Sequence, residues 1–197
     1  MENTMKPHIA LSDRFITAVA YATTMHREQV RKSTEIPYIC HPLGVASLLI
    51  EAGATEDQII AGLLHDVAED CGGEPRLQDI KLMFGEKVSE IVRGCSDSLT
   101  ESESNKAPSK ERKKVHLKHL ETAAQDVLMV TAADKLHNAR AIATDFGIKG
   151  SEVWERFNLD RESIIWYYRS VFTILEQNKI TPKLLLPLAV AIDGFDV

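Results

Sequence analysis

Apolar residues recur every three or four positions along most of this 197-residue chain, and no stretch shows the strict alternation typical of a β-strand. This pattern restricts the chain to the packing of helix on helix, and a hydrophobic content of 44% is enough for one sizeable core. We therefore predict an all-α, single-domain helical bundle over residues 1–197, with its core at about residues 11–177. In the first predicted helix, within residues 11–30, the apolar positions are Phe15, Ala18, Val19, Ala22 and Met25.

Local start and stop signals divide the chain into helices. The pair His41-Pro42 opens one helix, with Pro42 expected at its first position, and Gly53 ends it. The sequence Thr55-Glu-Asp-Gln58 is a capping box, which predicts the start of the next helix. Connecting segments are predicted at residues 31–37, 71–75 and 98–109, the last as a mobile loop inside the domain. Further helices are predicted over residues 77–84, 86–96, 109–122, 126–144, 163–177 and 182–192.

Composition and charge exclude several classes of protein. No apolar run approaches the roughly 20 residues of a membrane-spanning helix, and the N-terminus lacks the apolar segment of a secretory signal. A formal net charge of −6 argues against DNA, RNA and acidic membranes as partners, whereas a small phosphorylated ligand needs only a local cluster of cations. The three widely spaced cysteines, Cys40, Cys71 and Cys95, are interpreted as free thiols of a cytoplasmic protein. The sequence leaves the oligomeric state open.

Four ionisable side chains follow an apolar helical stretch at residues 59–64. His65 and Asp66 come first, and Glu69 and Asp70 lie one helical turn later. Burying such a cluster where a helix meets a cleft costs free energy unless an opposite charge neutralises it. A divalent metal would do so, and it would make the cluster a hydrolytic centre.

Two other segments carry residues of the same kind. The sequence Tyr38-Ile-Cys-His41-Pro42 places an imidazole at the start of a helix. Asp134 follows the apolar run Leu128-Met-Val-Thr-Ala-Ala, where a buried carboxylate needs a partner. Each of these side chains alone is more often a core or surface residue than a ligand, so the metal interpretation depends on their occurrence together.

The order of these residues, His…His-Asp…Asp, resembles that of the HD-domain phosphohydrolases. The short motifs around them are similar to those of the Rel/Spo alarmone hydrolases. The resemblance extends over residues 11–168, which is most of the chain. It implies a single HD-domain helical bundle. The matching motifs are Arg31-Lys32-Ser33, Pro37-Tyr38, His41-Pro42, His65-Asp66-x-x-Glu69-Asp70 and Asp134-Lys135-Leu-x-Asn138.

The resemblance implies a set of metal ligands. Two imidazoles and two carboxylates suit Mn²⁺ best, with Fe²⁺ or Zn²⁺ as alternatives. His65 and Asp66 are adjacent on a predicted helix and diverge by about 100°, so the ion would lie beside that helix. The other two ligands must then approach from neighbouring helices. The four implied ligands are His41, His65, Asp66 and Asp134.

The resemblance also implies a catalytic role for Glu69 and Asp70. These carboxylates would orient and deprotonate the attacking water and pass a proton to the leaving group. In the family, this acidic pair separates alarmone hydrolases from other HD proteins. His137 is expected to be rotated away from the helical face that carries Asp134 and Asn138, so it is not predicted to be a ligand.

Five polar residues are candidates for binding the substrate. By resemblance, Asn138 would contact the ribose of a nucleotide, and Arg31 would contact guanine and a nearby phosphate. Lys135 and Arg140 would support phosphates or neighbouring carboxylates, and Lys32 is a candidate because it belongs to the Arg31-Lys32-Ser33 motif. The alternative interpretation of these basic residues is that they are solvated surface charges.

The implied activity is the hydrolysis of guanosine 3′,5′-bis(diphosphate), or of the pentaphosphate, to GDP or GTP and pyrophosphate. Because no synthetase region follows, the protein is expected to degrade the alarmone and not to make it. One alternative is an HD-type phosphohydrolase acting on another nucleotide, such as an NADPH phosphatase, or on a simple phosphomonoester. Another is an HD module that binds a nucleotide without catalysis, but this would predict the loss of a ligand or of the acidic pair, and none is lost.

Overall fold

A computed structural model describes residues 10–96, 99 and 108–195. Within that part of the chain the protein is helical and has no β-strand, only an isolated bridge between Val30 and Pro37, which confirms the predicted all-α fold. No described helix combines the length and the hydropathy needed to cross a bilayer. The helices are α1 (Asp13–Met25), α2 (Cys40–Ala52), α3 (Glu56–Leu64), α4 (Val67–Asp70), α5 (Gly73–Phe84), α6 (Glu86–Cys95), α7 (Ser109–Leu120), α8 (Gln125–Lys149), a 3-10 helix (Gly150–Arg156), α9 (Arg161–Gln177) and α10 (Pro182–Asp193).

Two helix ends follow the predicted local signals. Thr55 and Gln58 form the capping box at the start of α3, with the Thr55 N–H donating to Gln58 Oε1 at 2.7 Å. Gly53 ends α2 with a φ of 81°, a left-handed conformation that residues with a side chain adopt only at a cost. These ends could be predicted because their causes lie within a few residues.

Other helix ends differ from the prediction. α2 begins at Cys40, so Pro42 lies in the third helical position and not the first. The first turn accepts a proline there because the missing N–H would have no partner within the helix. α5 begins inside the predicted turn at residues 71–75. The predicted loop at residues 98–109 lies mostly outside the described residues, and Ser109 already begins α7.

Helices α2, α3 and α8 pack against one another at the centre of the core. Gly62 of α3 permits this close approach, because a Cβ at this position would lie 2.4 Å from Leu49 Cδ1 of α2. The core also continues beyond the predicted boundary at residue 177, since Leu188 and Phe195 are buried in it. The site residues on α2 and α8, and those that directly follow α3, are therefore attached to the centre of the core.

The residues His65 and Asp66 lie between α3 and α4, so the pair is located at a joint between two helices and not within one continuous helix. Leu64 and Val67, on either side of the pair, are fully buried. These apolar neighbours anchor the joint in the core. The two polar side chains extend from it towards α2 and α8.

Candidate active site

Four side chains that are distant in the sequence meet where α2, α8 and the α3–α4 joint come together. The Nε2 atoms of His41 and His65 lie 3.2 Å apart. Asp66 Oδ2 lies 3.5 Å from the first of these nitrogens and 3.0 Å from the second. Asp134 Oδ1 lies 3.3 Å and 3.7 Å from the same two atoms. The structure therefore brings all four predicted ligands together, and we call this group the four-ligand cluster.

Hydrogen bonds outside the four-ligand cluster determine how its imidazoles point. His65 Nδ1 lies 2.8 Å from the carbonyl oxygen of Gly62, and because a carbonyl only accepts, Nδ1 carries the hydrogen. In the neutral ring, the lone pair of His65 Nε2 then faces the cluster. His41 Nδ1 lies 2.9 Å from His137 Nδ1, which leaves His41 Nε2 directed at the same point.

This set of donor atoms fits a divalent cation. Two imidazole nitrogens and two carboxylate oxygens directed at one point repel one another unless a positive charge lies among them. Adjacent ligands at about 2.0–2.2 Å from one ion lie about 3.0–3.6 Å apart, close to the separations in the cluster. His41, His65 and Asp66 form the tightest part, with donor atoms within 4.8 Å of one another. Asp134 approaches from the side of α8.

Asp134 is also bound by two polar neighbours on its own helix. Lys135 Nζ donates to Oδ2 at 2.5 Å, and Asn138 Nδ2 donates to Oδ1 at 2.6 Å. Burial raises the pKa of this carboxyl, but the Lys135 ammonium, together with His41 and His65 when their Nε2 atoms carry hydrogen, outweighs burial and holds the pKa well below its ordinary value. Asp134 is therefore ionised, as a metal ligand must be.

Tyr38 supports Asp66 of the cluster. Its hydroxyl donates to Asp66 Oδ2 at 2.6 Å. Burial, followed by the carboxylates of Asp66 and Asp70, raises the pKa of Tyr38 far above its ordinary value. The phenol consequently stays protonated and fixes the orientation of the Asp66 carboxylate.

The predicted catalytic carboxylates lie on α4, next to the four-ligand cluster in the sequence. Glu69 Oε1 lies 3.7 Å from Arg112 Nη1 of α7. Asp70 Oδ2 accepts a hydrogen bond of 2.8 Å from Gln29 Nε2, which follows α1. Glu69 is half-buried and Asp70 is exposed, so both carboxylates are accessible to water. Each is oriented by a different part of the chain.

A cavity of about 490 Å³ adjoins the four-ligand cluster. Its wall includes Tyr38, Lys135 and Asn138, which are the residues that donate hydrogen bonds to Asp66 and Asp134. Among the described residues that line it, only one is acidic, and that residue is paired with an arginine. Such an excess of positive charge suits a small polyanion. The basic lining residues are Arg31, Lys32, Arg112, Lys113, Lys135 and Arg156.

Most of the predicted substrate-binding residues line this cavity. Arg31, Lys32, Lys135 and Asn138 all belong to its wall. Arg31 Nη2 donates to Asn138 Oδ1 at 2.8 Å, so the two residues expected to contact the nucleoside lie side by side. Arg140 is exposed on α8 and is not part of the wall. A substrate-binding role for Arg140 stays a prediction.

His137 is not a member of the four-ligand cluster, but it contacts the cluster through His41, which its position on α8 alone does not reveal. α2 packs on the side of α8 where His137 projects, and the two imidazoles of His41 and His137 meet there. A signal was present in the sequence: Gly44, within the helical pattern and three residues after His41, indicates a close approach of another group. The sequence also contained no indication that Tyr38 binds Asp66.

Gly44→Ala is expected to weaken metal binding while the protein remains folded. A Cβ at this position would lie 2.2 Å from His137 Cδ2, so the ring must move and His41 loses the partner of its Nδ1 atom. Loss of such an outer partner typically lowers metal affinity about 10- to 100-fold. Calorimetric titration of the metal-free protein with Mn²⁺ measures the effect.

Gly147→Ala is a matched control for this substitution. It adds the same methyl group to α8, where a Cβ meets nothing within 4 Å. Its Mn²⁺ affinity should equal that of the wild type, and its stability should rise by about 0.5–1 kcal/mol from the better helix propensity of alanine. An unchanged Mn²⁺ affinity in Gly44→Ala would contradict the role of His137.

Comparisons with known proteins agree with this geometry. The HD-domain family matches residues 18–159, a range that contains the whole four-ligand cluster. Guanosine-3′,5′-bis(diphosphate) 3′-pyrophosphohydrolase MESH1 of Xenopus tropicalis is 35% identical over 166 residues, which cover 82% of this chain and 88% of that protein. MESH1 of Homo sapiens is 36% identical over 130 residues, covering 64% and 68% respectively. A probable guanosine-3′,5′-bis(diphosphate) 3′-pyrophosphohydrolase of Synechocystis is 35% identical over 144 residues, but the match covers only 18% of that longer protein.

Solved structures show the same fold. A metazoan ortholog of SpoT that hydrolyzes ppGpp and plays a role in starvation responses superposes with a TM-score of 0.74 at 27% identity, covering 98% of this chain and 99% of that chain. A protein of Listeria monocytogenes superposes with a TM-score of 0.65 at 29% identity, covering 78% of this chain and 96% of the other. With its motifs in the expected order and its predicted ligands converging on one point, this chain belongs to the HD-domain family of metal-dependent hydrolases, in the group that includes the MESH1 proteins.

Proposed function

We propose that this protein is a metal-dependent guanosine-3′,5′-bis(diphosphate) 3′-pyrophosphohydrolase, which degrades the tetra- or pentaphosphate alarmone to GDP or GTP and pyrophosphate. The observation that carries the proposal is the position of the four-ligand cluster beside a cavity lined by six basic side chains. A metal-dependent hydrolase with such a cavity suits a substrate that carries several phosphates. The activity named for the MESH1 relatives supports the same substrate.

Substrate binding follows from the charges in the cavity wall. We assign the 3′-diphosphate to the end of the cavity nearest the cluster, where Lys135 and Arg112 supply positive charge. Asn138 would hydrogen-bond the ribose, since its amide can both donate and accept. Arg31, bonded to Asn138, would then stack on or hydrogen-bond the guanine.

The reaction transfers the 3′-diphosphate to water. The water oxygen bonds to the phosphorus attached to the ribose, and the bond between that phosphorus and the ribose 3′ oxygen breaks. Glu69 and Asp70 accept a proton from the water and return one to the 3′ oxygen as it leaves. A bound divalent cation would supply electrophilic polarisation of the phosphoryl oxygen and of the water. The residues that would hold it are His41, His65, Asp66 and Asp134.

Mn²⁺ is the cation that we propose, because a mixed set of imidazoles and carboxylates suits a borderline to moderately hard ion. The three cysteines are free thiols, which fits the reducing cytoplasm expected from the sequence. The organisation of residues 1–197 as a single domain stays a prediction.

The experiment that tests the function is product analysis after incubation with labelled alarmone. With Mn²⁺ we expect GDP and intact pyrophosphate, and a chelator should stop their release because it removes the cation from the four-ligand cluster. Ion-exchange chromatography separates pyrophosphate from orthophosphate. Addition of Mn²⁺, Fe²⁺, Zn²⁺ or Mg²⁺ to the metal-free protein tests the choice of metal.

A panel of substrates tests the alternatives. NADPH and a simple phosphomonoester are assayed under the same conditions as the alarmone. Turnover of either of these without release of pyrophosphate from the alarmone would contradict the proposed function. Binding of the alarmone without any product would favour a nucleotide-binding module.

A further inference from the structure

We propose that Gln29 and His26 are positioning residues that orient the Asp70 carboxylate for proton transfer. The inference rests on the proposed function, in which Asp70 accepts a proton from the attacking water. Neither residue belongs to the four-ligand cluster or to the wall of the cavity. Their role follows from a chain of hydrogen bonds that leads from the buried end of α1 to the exposed end of α4.

The hydrogen atoms in this chain can be assigned from the chemistry of its partners. An ionised carboxylate only accepts hydrogen bonds, so the atom of Gln29 that lies 2.8 Å from Asp70 Oδ2 must be the amide nitrogen. The amide oxygen therefore faces His26 Nδ1 at 2.7 Å. Because that oxygen only accepts, His26 Nδ1 must carry the hydrogen. The order of donation is consequently His26 to Gln29 to Asp70.

His26 is fixed in place by the core. It is only 2% exposed, and its Nε2 atom has no hydrogen-bond partner among the described residues. A buried polar side chain with one unsatisfied nitrogen is unfavourable as packing alone. Its ring also packs against the ring of Tyr38, with the two centres 4.9 Å apart.

The backbone of Gln29 is fixed as firmly as its side chain. Its N–H donates to the His26 carbonyl at 3.0 Å, and its carbonyl accepts from the Tyr38 N–H at 2.9 Å. The Tyr38 hydroxyl in turn donates to Asp66 of the four-ligand cluster. One short segment therefore connects a proposed metal ligand with a proposed catalytic carboxylate and sets their relative position.

The hydrogen bond from Gln29 matters because Asp70 lies at the exposed end of a short helix. It is an exposed residue at the last position of α4, a helix of four residues. Loss of the hydrogen bond from Gln29 removes a contact that holds this carboxylate in its orientation towards the reacting water. A general base that is misplaced lowers kcat, whereas substrate affinity depends on the cavity wall and should remain.

Gln29→Met tests the inference, because methionine has a similar length and shape but no N–H that could donate a hydrogen bond to Asp70. We expect kcat for the alarmone to fall about 10- to 100-fold, the range typical of a lost hydrogen bond to a charged group. KM and the Mn²⁺-dependent rise in Tm should stay within about twofold of the wild type. Gln78→Met is the matched control, since it removes an exposed amide-to-carboxylate hydrogen bond to Glu74 on α5.

Two substitutions of His26 separate positioning from packing. The amide nitrogen of His26→Asn can occupy nearly the place of Nδ1 and donate to Gln29, whereas His26→Leu fills the space without a donor. We expect His26→Asn to retain most of the wild-type kcat and His26→Leu to lose as much as Gln29→Met. Both are assayed well below their measured Tm.

Each outcome is decisive. A wild-type kcat in Gln29→Met, or an equal loss in His26→Asn and His26→Leu, would overturn the inference and leave the proposed function intact. A rise in KM with unchanged kcat would overturn it as well, since it would place Gln29 in substrate binding. A wild-type protein that releases no pyrophosphate from the alarmone would overturn the proposed function, and the inference with it.

Discussion

Asp66→Ala is expected to abolish the metal-dependent release of pyrophosphate from the alarmone, with a loss of about 1,000-fold or more. The Asp66 carboxylate lies 3.0 Å from His65 Nε2 and 3.5 Å from His41 Nε2, so its removal opens the centre of the four-ligand cluster. It also leaves the Tyr38 hydroxyl without its acceptor. Steady-state kinetics with saturating Mn²⁺ measures the loss of activity.

A thermal readout shows whether this loss arises at the metal. A cation that binds only the folded state stabilises it by about 2.7 kcal/mol at a concentration of 100 times its Kd. For a protein of this length, that free energy raises Tm by about 5–10 °C. We expect this rise in the wild type and its absence in Asp66→Ala, with helical circular dichroism unchanged. Asp193→Ala, at the exposed end of α10, should behave like the wild type.

Retention of the Mn²⁺-dependent rise in Tm by Asp66→Ala would show that the cation binds without this carboxylate. Retention of full turnover would contradict the proposed role of the four-ligand cluster in catalysis. Because circular dichroism reports on folding independently, neither outcome can be confused with an unfolded variant.

Asp70→Asn is expected to lower kcat by about 100- to 10,000-fold, the range typical of a lost general acid or base. The amide keeps the size of the carboxylate but cannot accept a proton from water. Asp70 is not among the donor atoms of the four-ligand cluster, so the Mn²⁺-dependent rise in Tm and the KM should be retained. Rapid-quench measurement of pyrophosphate formation reports the chemical step directly.

The pair of variants separates two roles that the sequence places only four residues apart. Asp66→Ala should lose both metal binding and activity, whereas Asp70→Asn should lose activity alone. Asp79→Asn is the control for the second variant, since this half-exposed residue pairs with Arg76 on α5, outside the site. A wild-type kcat in Asp70→Asn would contradict the catalytic role of Asp70 and leave the metal assignment standing.

Features with local causes were predictable from the sequence. The capping box at Thr55 and the left-handed residue Gly53 depend on hydrogen bonds and dihedral angles within a few residues. The start of α2 was misplaced by two residues, because a proline is tolerated anywhere in the first helical turn and does not define its first position. The joint at His65 and Asp66 was also missed, since its backbone angles stay close to helical values.

The candidate ligands could be named from the sequence because of their chemistry. An aspartate after an apolar run, and an imidazole beside a carboxylate at the end of another, are both costly to bury without a counter-charge. Their convergence on one point is a property of the tertiary structure, because it is produced by the packing of α2, α3 and α8. Arg112 could not be linked to Glu69 from the sequence, because the two residues lie on helices separated by a long stretch of chain.

The sequence by itself determined the helical class, the set of donor atoms and the excess charge that demands a cation. Only the tertiary structure decided which group supports each donor: His137 beside His41, Tyr38 beside Asp66, and Gln29 beside Asp70. The physical reason is that these partners come from different segments, whose relative rotation depends on how the core packs. Close approaches such as the one at Gly44 set that rotation; the glycine indicates that some group approaches, but the sequence does not identify which group it is.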